Sequence, residues 1–146
     1  MCLVVLPAPH YLYDWANRLI GVNPKKAGLF GKRCYKVLVT NGVDIRTPYR
    51  GERILFTGGK FTQDSGVKHL FLHRSKQASE FYYIDIGIHG FCNKNAALKN
   101  ISNYYSCPFG CKLLVVKAKI PRGAEYYYGL DGEIVATKMI LSTKSI

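Results

Sequence analysis

Apolar and polar positions alternate along much of this chain, and short glycine- or proline-bearing stretches punctuate the alternation. The segment KLLVVKAKI (112–120) is the clearest case. Leu114, Val116, Ala118 and Ile120 share one face and Lys117 and Lys119 the other, which predicts a half-buried strand. CYKVLVT (34–40) is β-rich and ends at Asn41-Gly42, a strong two-residue hairpin signal. RILFT (53–57) reads as a strand that Gly58-Gly59 breaks, and Thr47-Pro48 before it forces an extended or turn conformation. Residues 60–80 are polar and mixed and predict a long loop or a short hairpin. FYYIDIGI (81–88) is aromatic and β-branched and reads as one strand. The YYY run is short and β-prone, LDGE is a turn, and EIVATKMIL (133–141) reads as the closing strand.

Two stretches carry the helical period instead. Asn93 is placed to cap a helix running to about Tyr104, with Ala96, Ala97, Leu98 and Ile101 inward. Residues 9–20 space Leu12, Trp15, Ala16, Leu19 and Ile20 helically, until Gly21 and Asn23-Pro24 stop the run. The opening MCLVVLPAP reads as a strand or tucked arm, with no basic flank of a signal peptide. The sum is an α+β fold. Residues 1–31 form an N-terminal leader, a helix followed by the basic linker NPKKAGLFGKR. Residues 32–146 form a single domain, mostly antiparallel sheet with one main helix at about 93–104.

Composition narrows the class of function. Apolar residues make up 48% of the chain, enough for one core, and no apolar run approaches the roughly 18 residues that span a bilayer. Five cysteines, an odd count, suit a reduced intracellular setting better than a disulfide framework. The formal net charge is +12, with +7 on residues 1–73 and +5 on residues 74–146. The excess therefore belongs to the whole chain, not to a tail. It points to an anionic partner such as nucleic acid, a nucleotide or an acidic protein, against the plainer alternative of a merely basic surface.

Several residues could carry chemistry. Arg46, Arg50 and Arg53 bracket Thr47-Pro48-Tyr49, and three guanidiniums near one turn invite an anion. Lys117, Lys119 and Arg122 lie beside Tyr126, Tyr127 and Tyr128. The cations could meet phosphates while these tyrosines, with Tyr49, stack bases; alternatively the tyrosines pack on the sheet. His89 stands between Gly87 and Gly90, where backbone can approach a ligand, or where its ring simply holds a turn. Cys107 and Cys111, with Cys92 and either Cys34 or His89, could form a zinc site; a disulfide and free thiols are the alternatives, and no metal or cofactor is favoured.

The order of motifs resembles a family of small uncharacterised phage, viral and bacterial proteins. The resemblance rests on MCL (1–3), CYKVL (34–38), TPY (47–49), GIHGF (87–91), VVKAKIPRGAEYY (115–127) and ATKMIL (136–141). It departs in residues 4–31 and beside His89, where Ile88 and Gly90 replace expected aromatics. It implies a phage or viral setting, inside the host cell or in the virion, and no particular reaction. A weaker resemblance is to the ADP-ribosyltransferase scaffold. GFCNKNAAL, IPRGA and Glu133 stand where that group has its Gly-Phe segment, its Pro-x-Gly-Ala turn and its catalytic glutamate. The Ser-Thr-Ser of that group is replaced here by Cys92-Asn93-Lys94. The expectation is thus a basic accessory protein that binds an anionic partner. The alternatives are a transferase-like or nucleotide-processing enzyme using His89 and Glu133, and a structural virion component.

Overall fold

A computed structural model describes residues 3–7, 24–48, 51–74, 81–104, 110–129 and 132–143. The chain is mostly antiparallel β-sheet, and every strand pairing among these residues is antiparallel. The strands are β1 (Leu3–Pro7), β2 (Lys25–Lys26), β3 (Lys32–Thr40), β4 (Ile45–Arg46), β5 (Lys60–Asp64) and β6 (His73–Arg74). They continue with β7 (Phe81–Ile84), β8 (Ile88–Phe91), β9 (Lys112–Ile120), β10 (Glu125–Tyr128), β11 (Glu133–Ala136) and β12 (Lys138–Ser142). One helix, α1 (Lys94–Tyr104), follows β8; Asn93 Oδ1 accepts from the Ala96 N–H at 2.8 Å, an N-cap.

The main sheet runs β2-β10-β11-β8-β3-β9-β12-β5, with β4 beside β3. Its backbone is the β3–β9 pair, registered from Lys32↔Ile120 to Thr40↔Lys112. Residues 133–142 then do something that one straight strand does not. They bend at Thr137, so that β11 pairs with β8 while β12 pairs with β9. Since β8 and β9 both flank β3, the bent segment closes the sheet on itself. Thr137 is buried, and the bend is fully bonded. Its N–H donates to Glu125 O at 3.0 Å, and its carbonyl accepts from Ser65 N at 3.0 Å.

Inside the closed sheet, Cys34, Leu38, Val116, Ile120, Ile134, Met139 and Leu141 are at most 1% exposed. Each such side chain contributes about 1.5–3 kcal/mol by leaving water. A second apolar layer covers the outer face of β10-β11-β8: Tyr127, Val135, Leu70, Leu72 and Ile84 are buried there. The β1-β7-β6 sheet supplies Ile84 to that layer.

Four expectations need correction. RILFT is not a ladder strand. Ile54 is buried because it fills the core, while its N–H bonds back to Ile45 O at 2.8 Å across the 45–54 turn. The strand lies instead at Lys60–Asp64, within the stretch read as loop or hairpin; its alternation is half-exposed and carries few apolar side chains to betray it. FYYIDIGI divides into β7 and β8 at Asp85–Gly87, and Gly87 packs so closely there that a Cβ would overlap Val135 Cγ2 and sit 3.2 Å from Leu70 Cδ2. The Asn41-Gly42 turn spans four residues, since Thr40 pairs with Ile45 and Asn41 Oδ1 accepts from the N–H groups of Val43 and Asp44.

Within the expected leader, Leu3–Pro7 pairs with β7 and Lys25–Lys26 pairs with β10. The helix expected at 9–20 lies outside the described residues. No helix among the described residues is long and apolar enough to cross a membrane.

Candidate functional site

The pairing of β2 with β10 and the β3–β9 register bring distant cations to one end of the main sheet. Glu125 and Tyr126 pair with Lys26 and Lys25. Arg33 stands directly opposite Lys119 on the outer face, and Tyr35 opposite Lys117. Arg122 follows in the Pro121–Ala124 turn, closed by Ala124 N donating to Pro121 O at 3.1 Å. Among the described residues, Lys25, Lys26, Lys32, Arg33, Lys119 and Arg122 form no ion pair. Like charges directly opposite on a sheet repel, so the Arg33–Lys119 rung is unfavourable until an anion meets it.

An apolar tip projects from this end. Residues 28–31 turn, with Gly31 N donating to Gly28 O at 2.9 Å, and expose Leu29 and Phe30; Phe30 is 81% exposed. The turn is anchored by Ala27 N to Ala124 O at 3.0 Å and Gly123 N to Ala27 O at 2.9 Å. Gly31 adopts φ +73°, and a Cβ there would lie 2.6 Å from Ile120 O. Beside the tip, Lys25 Nζ and Lys32 Nζ sit 5.0 and 5.5 Å from the Tyr128 ring centroid. Tyr126 meets Tyr128 edge-on at 5.6 Å. A hydrogen bond between the Lys32 ammonium and the Tyr128 hydroxyl holds Lys32 above its ordinary pKa, against partial desolvation.

The tyrosines divide by face. Tyr126 and Tyr128 lie on the core side of β10 and Tyr127 on the other. Tyr126 and Tyr127 are buried, whereas Tyr128 is exposed. Burial pushes the Tyr127 hydroxyl up to about 12. Of the arginine cluster, Arg46 and Arg53 both reach Asp44, at 3.5 and 3.2 Å, so two guanidiniums share one carboxylate. Arg46 Nη1 also donates to Gly51 O at 2.9 Å. Tyr49 and Arg50 lie outside the described residues, as does Cys107. Cys92 and Cys111 are half-buried free thiols, and among the described residues no three His, Cys, Asp or Glu side chains gather to hold a metal ion.

A separate cleft of about 120 Å³ opens where β8 and the β4 hairpin diverge along β3. Its lining includes Lys36, Glu52, Gln63, Asp64, Asp85 and His89. Lys36 shares the inward face of β3 with Cys34 and Leu38 and is 8% exposed. Its Nζ donates to the His89 carbonyl oxygen. Burial pushes its pKa down to about 8, opposed by Cys34 and Glu52. Burial likewise pushes the Cys34 thiol up to about 12.

Sequence reasoning singled out His89 but not the lysine beneath it. The signal was present: a lysine at alternate spacing between Cys34 and Leu38 sits on the apolar face of its strand. Gly87 and Gly90 are tightly packed: a Cβ on Gly87 would overlap Val135 Cγ2, and one on Gly90 would lie 2.8 Å from Tyr35 O. Glu133 pairs with Phe91, one rung along β8 from the Val135–His89 pair, and is not part of the cleft lining. No family model, curated protein or solved structure matches the chain significantly.

Proposed function

We propose that this chain is a small basic binding protein that docks single-stranded nucleic acid at the Lys25–Arg33 end of its main sheet. One observation carries the reading: six cations without ion pairs among the described residues lie at the same end of the main sheet as the anchored turn that exposes Phe30. Cations meet a phosphate backbone, and an exposed aromatic accepts an unpaired base on its face. Tyr128, flanked by Lys25 and Lys32, offers a second such face. Lys117, Lys119 and Arg122 belong to this surface; Arg46 and Arg53 are a secondary patch that shares Asp44. The motif resemblance adds a phage or viral setting, within the host cell or the virion.

Fluorescence anisotropy with a labelled oligothymidylate tests the proposal. Reversing Arg33 and Lys119 together to Glu weakens binding by at least tenfold. Phe30→Ser removes one stacking platform and loses about 1–3 kcal/mol of binding. Binding unchanged by both substitutions contradicts the reading. So does a protein that binds vesicles containing phosphatidylserine but ignores the oligonucleotide, since an apolar tip in a basic rim could also meet an anionic membrane.

A further inference from the structure

The Lys36 cleft is spatially and chemically distinct from the basic end. A buried ammonium is expensive unless a carboxylate pairs with it. Among the described residues Lys36 has no ion pair, and its one hydrogen bond is to the His89 carbonyl. Two of the three donors of a protonated amine are thus left without a protein acceptor there. The same cleft is lined by Gln63, whose Oε1 is buried with no hydrogen-bond partner. Both groups have unspent bonding capacity beside one small opening.

The lining limits what can enter. Glu52, Asp64 and Asp85 surround a single lysine, with His89 alongside and Cys34 two residues away on the same strand. Three carboxylates disfavour an anionic ligand. A volume of about 120 Å³ accommodates a molecule of about one ring, judged against the ~150 Å³ cavity that holds benzene in an engineered protein. The Lys36 ammonium in turn disfavours a cation beside it, so the occupant is small and uncharged. A buried amine beside an open cleft has one characteristic reaction with such a molecule, addition to a carbonyl carbon.

We infer that Lys36 is a covalent capture site for a small neutral aldehyde or ketone. The amine lone pair forms a C–N bond while the carbonyl π bond breaks onto oxygen. That oxygen takes up the proton the nitrogen sheds, giving a carbinolamine. Loss of the hydroxyl with the second N–H proton, as water, gives the imine; no oxidant or reductant is consumed. The carboxylates of the lining can pass protons between nitrogen, oxygen and solvent, while His89 offers Lys36 its backbone carbonyl. Capture also replaces an unpaired buried ammonium by a neutral adduct, which the desolvated site favours.

The test uses the intact protein, briefly exposed to substoichiometric benzaldehyde, quenched with borohydride and mapped by peptide mass spectrometry. At pH 8 about half of Lys36 is unprotonated, against well under 1% of an ordinary lysine near 10.4. Lys36 is then labelled at least tenfold faster than the exposed Lys60, Lys68 or Lys112. At pH 10 that preference falls to about fourfold or less, because exposed lysines gain far more free amine than Lys36 does. Lys36→Arg abolishes the preferential label while leaving the circular dichroism spectrum unchanged. Labelling of Lys36 at pH 8 no faster than the exposed lysines overturns the proposal, as does a preference that persists unchanged at pH 10. Oligonucleotide binding is not involved, so this result and that of the anisotropy measurement stand or fall separately.

Discussion

Lys36 is the residue whose environment departs furthest from its chemistry. Its protonated form is disfavoured in the fold, with a pKa near 8 against 10.5 for the free side chain. The consequence for stability has a definite sign. Between pH 8 and 10.5 the unfolded chain binds more protons at this site, so stability rises with pH. Cys34, held neutral up to about 12, acts oppositely above pH 9, since the unfolded thiolate forms first. Tyr127 adds to that loss above pH 10. Urea unfolding should therefore show a gain of about 1 kcal/mol from pH 8 to 9, a plateau, and a decline above pH 10.5. Lys36→Met should remove the initial gain and stabilise the protein at pH 7 by about 1–3 kcal/mol, because no ammonium is then buried. A destabilised Met variant would mean that the bond to the His89 carbonyl outweighs the desolvation.

At the level of elements, strands with clean alternation were legible. β3 and β9 could be read directly, and Leu114, Val116, Ala118 and Ile120 do share a face opposite Lys117 and Lys119. What alternation cannot convey is a strand that serves two neighbours. EIVATKMIL reads as one element, and only the pairings of β11 and β12 reveal the bend at Thr137. The basic site was half legible for the same reason. Lys117, Lys119 and Arg122 stood out beside the tyrosines. Lys25, Lys26, Lys32 and Arg33 lay in an apparent linker until β2–β10 and β3–β9 pairing placed them alongside. The Arg33–Lys119 rung makes a prediction at this scale. Lys119→Glu relieves the repulsion and should stabilise the fold by about 0.2–1 kcal/mol while weakening nucleic-acid binding. Stability and binding moving together would refute the functional origin of that rung. Gly87→Ala should destabilise by about 1–3 kcal/mol, read by thermal unfolding, because Val135 occupies the space a methyl group needs.

For the whole molecule, closure of the sheet explains how a chain of 146 residues holds strong like charge at one end without coming apart. The closed core is apolar apart from the buried Lys36, and the second layer on the outer face of β10-β11-β8 stiffens the strand that anchors the tip. Truncating Leu141 to Ala should cost about 2–5 kcal/mol, since its side chain is completely buried. A rigid frame also fixes the spacing of Lys25, Lys32, Arg33 and Lys119 before any partner arrives, so little ordering entropy opposes binding. The most direct test of that design is the salt dependence of oligothymidylate affinity. With about six phosphate contacts, log K should fall against log salt with a slope near −4, and the Arg33→Glu, Lys119→Glu variant should flatten it measurably. A slope near zero, or one that the double reversal leaves unchanged, would contradict the assignment of this end as the docking surface.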